Sequence, residues 1–213
     1  MAYDLEEQES LAEMKAWWDK YGTFVLSVVT AVLLAVAAWN GWNWYQRNQA
    51  AQAAAAYSQL QQAIGSRDTA RAKEIAGSIM DKYSGSIYGS LTALQAAKLN
   101  YELGDAAAAK AQLAWVVDKS GHDELGLIAR VRLAGIELDE KQYDAALKVL
   151  EGKAVGPQAV SIADRRGDVL LAQGKTEEAR AAWQAALAAA DAQHPLRPLV
   201  QLKLEALPAK PAQ

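Results

Sequence analysis

Seventeen consecutive residues, Thr23 to Trp39 (TFVLSVVTAVLLAVAAW), carry no charge, no proline and no glycine. As an α-helix rising ~1.5 Å per residue this run is about 26 Å long, and with its polar-tolerant shoulder, Gly22 to Trp44, it reaches about 35 Å. A bilayer hydrocarbon core is about 30 Å thick. Trp17, Trp18 and Tyr21 precede the run, and Trp39, Trp42, Trp44 and Tyr45 close it. Amphipathic rings collect at both membrane interfaces, so an aromatic cluster at each end marks two boundaries. A buried core helix has no need of such belts. A cleaved signal peptide has a basic leader, a shorter apolar run and small residues at the cut. Here the leader is acidic and the far flank is rich in Trp and Asn. The run is expected to be an uncleaved anchor.

The division follows from that anchor: a lead-in at 1–21, a transmembrane helix at 22–44 and a domain of ordinary size at 45–213. The formal net charge of −3 is unevenly spread: residues 1–21 carry −4, and the 20 basic and 19 acidic residues after the span leave +1. Neither part has the basic face that nucleic acid requires, so no nucleic-acid partner is expected. There is no cysteine, hence no disulfide framework and no thiol chemistry. Sidedness is set by Lys and Arg near the span. Lys15 and Lys20 on one flank against Arg47 on the other lean toward an inside N-terminus. Within the lead-in, Leu11, Met14, Trp18 and Tyr21 share one helical face, and the lysines can reach headgroups.

After Tyr45 the chain turns Ala- and Gln-rich, a strongly helix-forming composition, and this helix is expected to run on to Gly65. Ser66–Asp68 reads as a turn. A second helix is expected from Thr69 to about Tyr83, with Ala72, Ile75, Ala76, Ile79 and Met80 as its apolar face. No period-two segment of useful length occurs, so the domain should be all-α.

From Leu91 three segments align on their turns: AAKLNYELGDAAAAKAQLAWV, RLAGIELDEKQYDAALKVLEGK and RRGDVLLAQGKTEEARAAWQAAL. The turn residues Gly104, Lys141 and Gly174 are 37 and 33 residues apart. Five residues after each turn stands Ala109, Ala146 or Ala179, and four further on Leu113, Leu150 or Trp183. Seven residues before each turn stands Ala97, Ala134 or Gly167. This resembles the tetratricopeptide repeat, an α-solenoid of antiparallel helix pairs with about 34 residues per unit. Small residues let the two helices of a unit approach, and the large one fills the gap to the next unit. The clearest repeats cover about 91–190. The third unit fits throughout, whereas Asn100 and Glu137 stand where an aromatic is usual and Lys141 occupies a turn. His194 to Leu207, with Pro195 and Pro198, is expected to form a terminal cap, and 210–213 a loose tail.

No constellation of catalytic residues emerges. Gly174-Lys175-Thr176 imitates the end of a phosphate-binding loop, but Val169 stands where its first glycine belongs. His122 and His194 lie beside loop signals, far apart. Asp164, Arg165, Arg166 and Asp168 are a charge cluster at the start of a helix, a salt-bridged surface by default. No cofactor or metal is called for, and an enzyme is not expected. Two sets of residues are candidates for partner contact. Leu94, Lys98, Tyr101, Val131, Leu138, Asp164, Asp168 and Leu171 take the groove-facing phase of the repeats. Ser27, Thr30, Ala31, Ala35 and Ala38 recur at three- and four-residue steps and give the span a face of small and polar residues. Such faces pack against other helices in lipid.

The order of parts, together with AEMKAWWDKYG before the span, SIYGSLTALQAAK at 86–98 and IADRRGDVLLAQGKTEEARAAWQAAL at 162–187, resembles the YfgM family of Gram-negative bacteria, ancillary subunits of the SecYEG translocon. The likeness covers nearly the whole chain. It implies a single-pass inner-membrane protein with its N-terminus in the cytoplasm and its C-terminal domain in the periplasm. It also implies partners: SecYEG, a PpiD-like membrane-anchored periplasmic chaperone, and emerging secreted chains that the repeats help pass to chaperones. The alternative left by the residues is a membrane-tethered regulator whose repeats hold a dedicated signalling or envelope-assembly partner. A general client groove should be apolar and a dedicated one should carry fixed charges. The mixture above leaves both open.

Overall fold

A computed structural model describes residues 2–152, 154 and 156–208, with side chains from Glu9 onward. Every regular element among them is helical: α1 (Ala2–Gly65), α2 (Thr69–Tyr83), α3 (Ile87–Glu102), α4 (Ala106–Lys119), α5 (Asp123–Asp139), α6 (Tyr143–Val149), α7 (Pro157–Ala172), α8 (Thr176–Ala189) and α9 (Arg197–Glu205). The all-α expectation holds, as do the stop of the first helix at Gly65 and both ends of the second. The tail at 210–213 lies outside the described residues. The chain divides into two units, Met1–Ala51 and Gln52–Gln213.

The first unit is helix throughout its described length. It holds the one stretch among the described residues long and apolar enough to cross a membrane, and only 6% of that window is buried against protein. Phe24, Leu26, Val32, Leu33 and Leu34 are all exposed. Apolar surface on this scale needs a cover other than water. At its start Trp17 stacks obliquely on Tyr21 at 5.7 Å, and Lys20 lies 5.1 Å from the Tyr21 ring. At its end Trp42 and Tyr45 are 6.2 Å apart.

The second unit is a row of helix pairs joined by nearly identical turns. At Gly104, Lys141 and Gly174 the backbone is left-handed, with φ of 83°, 61° and 78°. Each turn residue donates its N–H three residues back and its successor donates five back: Gly104 to Tyr101 and Asp105 to Asn100, Lys141 to Leu138 and Gln142 to Glu137, Gly174 to Leu171 and Lys175 to Leu170, at 2.7–2.9 Å. These paired bonds close the last carbonyls of a helix and reverse the chain. Arg67, φ 58°, makes the same two bonds, to Ile64 and, through Asp68, to Ala63. The end of α1 and α2 therefore form a fourth pair ahead of the three recognised from sequence. Asp68 and Asp105 then cap α2 and α4, accepting from the N–H of Arg71 and Ala108 at 3.1 and 3.0 Å.

The sizes around each turn interlock. Ala97, Ala134 and Gly167 are enclosed, as are Leu113, Leu150 and Trp183 opposite them. In the fourth pair the sizes are exchanged: Leu60 stands seven before the turn and Ala76 nine after, both buried. Among the described residues four overlapping cores result. One joins the end of α1 with α2 and α3, the next α3 to α5, the next α5 to α7, and the last α7 to α9. Each core is shared with its neighbour, as expected of units that cannot bury their faces alone. In α9, Val200 is fully buried against the last pair, which makes this helix the expected cap.

Candidate functional site

The first helices of three successive pairs, α3, α5 and α7, line an open cavity of about 410 Å³ together with Leu113 of α4. Lys98 and Tyr101 come from α3, Arg132, Gly135, Ile136 and Asp139 from α5, and Arg165 from α7. The Tyr101 hydroxyl donates to Asp139 Oδ2 at 2.6 Å. That bond, reinforced by the charges of Asp139 and Glu140, raises the phenol above its ordinary 10.0. Lys98 pairs with Glu102 at 3.7 Å, both side chains well exposed. Arg132 donates to the Leu94 carbonyl at 3.3 Å.

The sequence-derived groove set divides on this surface. Lys98 and Tyr101 line the cavity. Leu171 is 40% exposed but does not line it. Leu94 is 5% exposed and belongs to the core between α3 and α5, so it is no surface residue. Val131 and Leu138 pack partly buried against the core between α5 and α7. Asp164 is buried and Asp168 half-buried, and both accept from Lys203 of α9 at 2.7 Å. The physical reason is one of helical phase. Leu94, Val131 and Asp164 stand ten residues before their turns, and that position faces inward. The position one step later, 100° around the helix, holds Arg132 and Arg165 and opens on the cavity. Gly135 shares the register of Lys98 and lines the cavity, although a glycine carries no side-chain signal in sequence.

At α7 the charge cluster is tied to the cap. Lys203 bridges Asp164 and Asp168 and sits 5.7 Å from the Trp183 ring. The Trp183 indole N–H donates to the Asp164 carbonyl at 3.1 Å. Burial pushes the Asp168 carboxyl above its ordinary 3.8, against the opposing hydrogen bond from Lys203. Arg165 reaches Asp168 only at 3.7 Å, and its Nε is enclosed with no acceptor. His194 Nδ1 accepts the Leu196 N–H at 3.2 Å, a local loop bond.

On the span, Ser27, Thr30, Ala31, Ala35 and Ala38 are all exposed. The Ser27 and Thr30 hydroxyls donate to the carbonyls of Thr23 and Leu26 at 2.8 Å, so they are satisfied within their own helix.

The tetratricopeptide repeat-like domain family matches residues 15–209. A protein of Aggregatibacter actinomycetemcomitans described as an ancillary SecYEG translocon subunit is 31% identical over 209 residues, 97% of this chain and 100% of the relative. A Neisseria gonorrhoeae protein of the same description is 28% identical, covering 97% of this chain and 100% of its own. One from Escherichia coli is 32% identical over 120 residues, 56% of this chain and 58% of its own. No solved structure matches the chain.

Proposed function

This chain belongs to the family of ancillary SecYEG translocon subunits, built on a tetratricopeptide repeat-like domain, and we propose that it is a non-catalytic scaffold that works beside the translocon in the bacterial inner membrane. Its span places it next to SecYEG. Its repeat domain, on the periplasmic side with the N-terminus in the cytoplasm, receives a PpiD-like membrane-anchored chaperone and so links emerging secreted chains to folding factors. The observation that carries the reading is the pairing, in one chain, of an apolar helix with almost no protein cover and a separately cored repeat unit bearing an open, charged cavity.

The cavity's fixed charges bear on the choice of partner. Unrelated unfolded clients are held by adaptable apolar surface, whereas Lys98, Arg132, Arg165 and the Tyr101–Asp139 pair are polar and directional. They favour a dedicated partner, which supports the chaperone contact over direct holding of clients. The same observation also favours the second reading, a membrane-tethered regulator with a dedicated signalling or envelope-assembly partner.

The two readings part at the membrane. A helix in lipid gains no hydrophobic free energy from meeting another, so recognition of SecYEG through the span needs the small face of Ser27, Thr30, Ala31, Ala35 and Ala38. Replacing residues 1–44 by an unrelated single-span anchor should reduce recovery of SecYEG in pull-downs while the repeat domain stays folded. Charge reversal at Lys98 and Arg132 should weaken the crosslinked chaperone partner and spare membrane insertion. Undiminished recovery of SecYEG with the foreign anchor would move that contact into the repeats. In-membrane crosslinks to a signalling protein instead of SecYEG would favour the regulator.

A further inference from the structure

We propose that the lead-in stands off the membrane as a helix and docks, through one face, on a Lys- and Arg-rich cytoplasmic loop of a polytopic membrane protein. This rests on the inside N-terminus and the place beside SecYEG proposed above. α1 runs without interruption from Ala2 through the span. The glycine at the junction, Gly22, lies under the Trp18 ring, where a Cβ would meet the ring at 3.0 Å. At ~1.5 Å per residue Met14 lies about 14 Å and Leu11 about 18 Å beyond Thr23, whereas the headgroup layer on one side of a bilayer is about 5–8 Å deep. Tyr21 and Trp18 fall within that layer, and Met14 and Leu11 stand clear of it. Both are well exposed, Met14 at 63% and Leu11 at 60%, on the face they share with Trp18 and Tyr21. An apolar stripe that leaves the lipid and continues into water needs a further cover.

The charge of the segment says what covers it. Helices that lie on a bilayer carry Lys and Arg on their polar face, because the cytoplasmic leaflet is negative. Residues 1–21 carry −4 instead, so lipid repels what its apolar face would gain. Glu9, Glu13 and Asp19 are exposed, and among the described residues none of the three is in an ion pair. A second copy of this chain would bring the same acids alongside and be repelled. A cationic partner answers both the carboxylates and the rings. Trp17 and Tyr21 are 5.7 Å apart, and Lys20 already lies 5.1 Å from the Tyr21 ring; indole faces take a guanidinium in the same way. Short loops of polytopic membrane proteins are rich in Lys and Arg on the cytoplasmic side. They occupy the height above the bilayer that Met14 and Leu11 reach, beside a chain confined to the membrane by its own span.

The test uses the full chain in intact cells, with the photoreactive residue benzoylphenylalanine introduced as Met14→benzoylphenylalanine or Ala16→benzoylphenylalanine, about 200° apart around the helix. Crosslinked residues are mapped by mass spectrometry. From position 14 they should fall in a Lys- and Arg-rich cytoplasmic loop of a polytopic protein, and position 16 should give few. Glu9→Gln, Glu13→Gln and Asp19→Asn together leave the span and the apolar face unchanged. They should lower the yield from position 14 about eightfold, a factor of about two for each exposed ion pair lost. Glu9→Asp, Glu13→Asp and Asp19→Glu keep the charges and should keep the yield, and carbonate extraction should show every variant inserted. Crosslinks from position 14 to phospholipid, to a second copy, to a soluble protein or to nothing overturn the proposal, as do equal yields from the two positions or an undiminished yield after neutralisation. A basic loop belonging to a protein other than SecYEG would uphold the docking and sink the translocon reading. Crosslinks to lipid alone, with SecYEG still recovered in pull-downs, would sink the docking and leave that reading standing.

Discussion

Trp183 stands nine residues after its turn and reaches back over Gly167, seven before it. A Cβ built on Gly167 would lie 2.4 Å from the indole nitrogen and 2.5 Å from Cδ1, so only glycine admits the ring at this depth. Truncation of Trp183 to alanine should cost about 3–5 kcal/mol, the range for a buried aromatic. Gly167→Ala should cost about 1–3 kcal/mol through overpacking, although alanine is the better helix former by about 1 kcal/mol. In the double variant the clash has no partner, so Gly167→Ala should become neutral or stabilising on the Trp183→Ala background. Chemical denaturation of the four chains reads that coupling, and strict additivity would show that the two residues do not interlock. Asp168 makes a pH prediction. Its carboxyl is raised above 3.8, chiefly by burial, so the folded chain keeps this proton to a higher pH than the unfolded chain. In the window just above 3.8 the folded state binds more protons, and the stability this group contributes is full below the window and lost as pH rises through it. Asp168→Asn removes that loss. Its melting temperature should therefore rise more steeply with pH across the window than the parent's, with Lys203 still held by Asp164. Parallel pH slopes would show that Asp168 gives up its proton as readily folded as unfolded.

The helix pairs are set by their turns, and the turns are where sequence was informative and where it misled. Glycine at 104 and 174 announces a left-handed residue. Lys141 and Arg67 adopt the same backbone, φ 61° and 58°, without the residue that makes it easy. Lys141 is legible all the same, because Ala134, Ala146 and Leu150 surround it in register. Arg67 reads from sequence only as part of a turn, because its pair reverses the sizes, Leu60 before and Ala76 after, and a pattern of small-then-large cannot match large-then-small. The same loss of signal explains the groove. Charge and shape at Arg132, Gly135 and Arg165 become a site only once the register of three helices is known. Asn100 and Glu137, at positions that usually hold an aromatic, have partners of their own: Asn100 donates to Gln112 at 3.3 Å, and Glu137 lies 3.5 Å from Lys110. If the left-handed turn is a strain at Lys141, glycine should relieve it. A non-glycine residue pays about 1–2 kcal/mol there, of which glycine's greater freedom in the unfolded chain cancels about 0.5–1 kcal/mol. Lys141→Gly should therefore raise stability by about 0.5–1 kcal/mol and Gly174→Ala, the reverse exchange in the same turn geometry, lower it by about 0.5–1 kcal/mol. Urea midpoints that move together in the same direction would contradict a shared turn geometry.

At the scale of the whole chain, the anchor was legible because its requirement is crude: enough apolar length, no charge, and rings at both ends. Such a run needs no tertiary partner to be recognised, and in the structure it has almost none. Orientation is a finer matter, since it rests on the two lysines, Lys15 and Lys20, against Arg47. Charges of this kind act through the membrane's positive-inside bias and leave no mark on the fold, so the question belongs to labelling. The chain has no cysteine, which gives single-cysteine variants a silent background. Ser10 in the lead-in and Glu178 in α8 are both exposed, so accessibility at either position reports the side of the membrane and not local burial. With the N-terminus inside, Glu178→Cys should react with a membrane-impermeant thiol reagent in intact spheroplasts. Ser10→Cys should react only after the membrane is opened. Labelling of Ser10→Cys in intact spheroplasts with Glu178→Cys protected would invert the protein, and would place the charged cavity where no periplasmic chaperone could reach it.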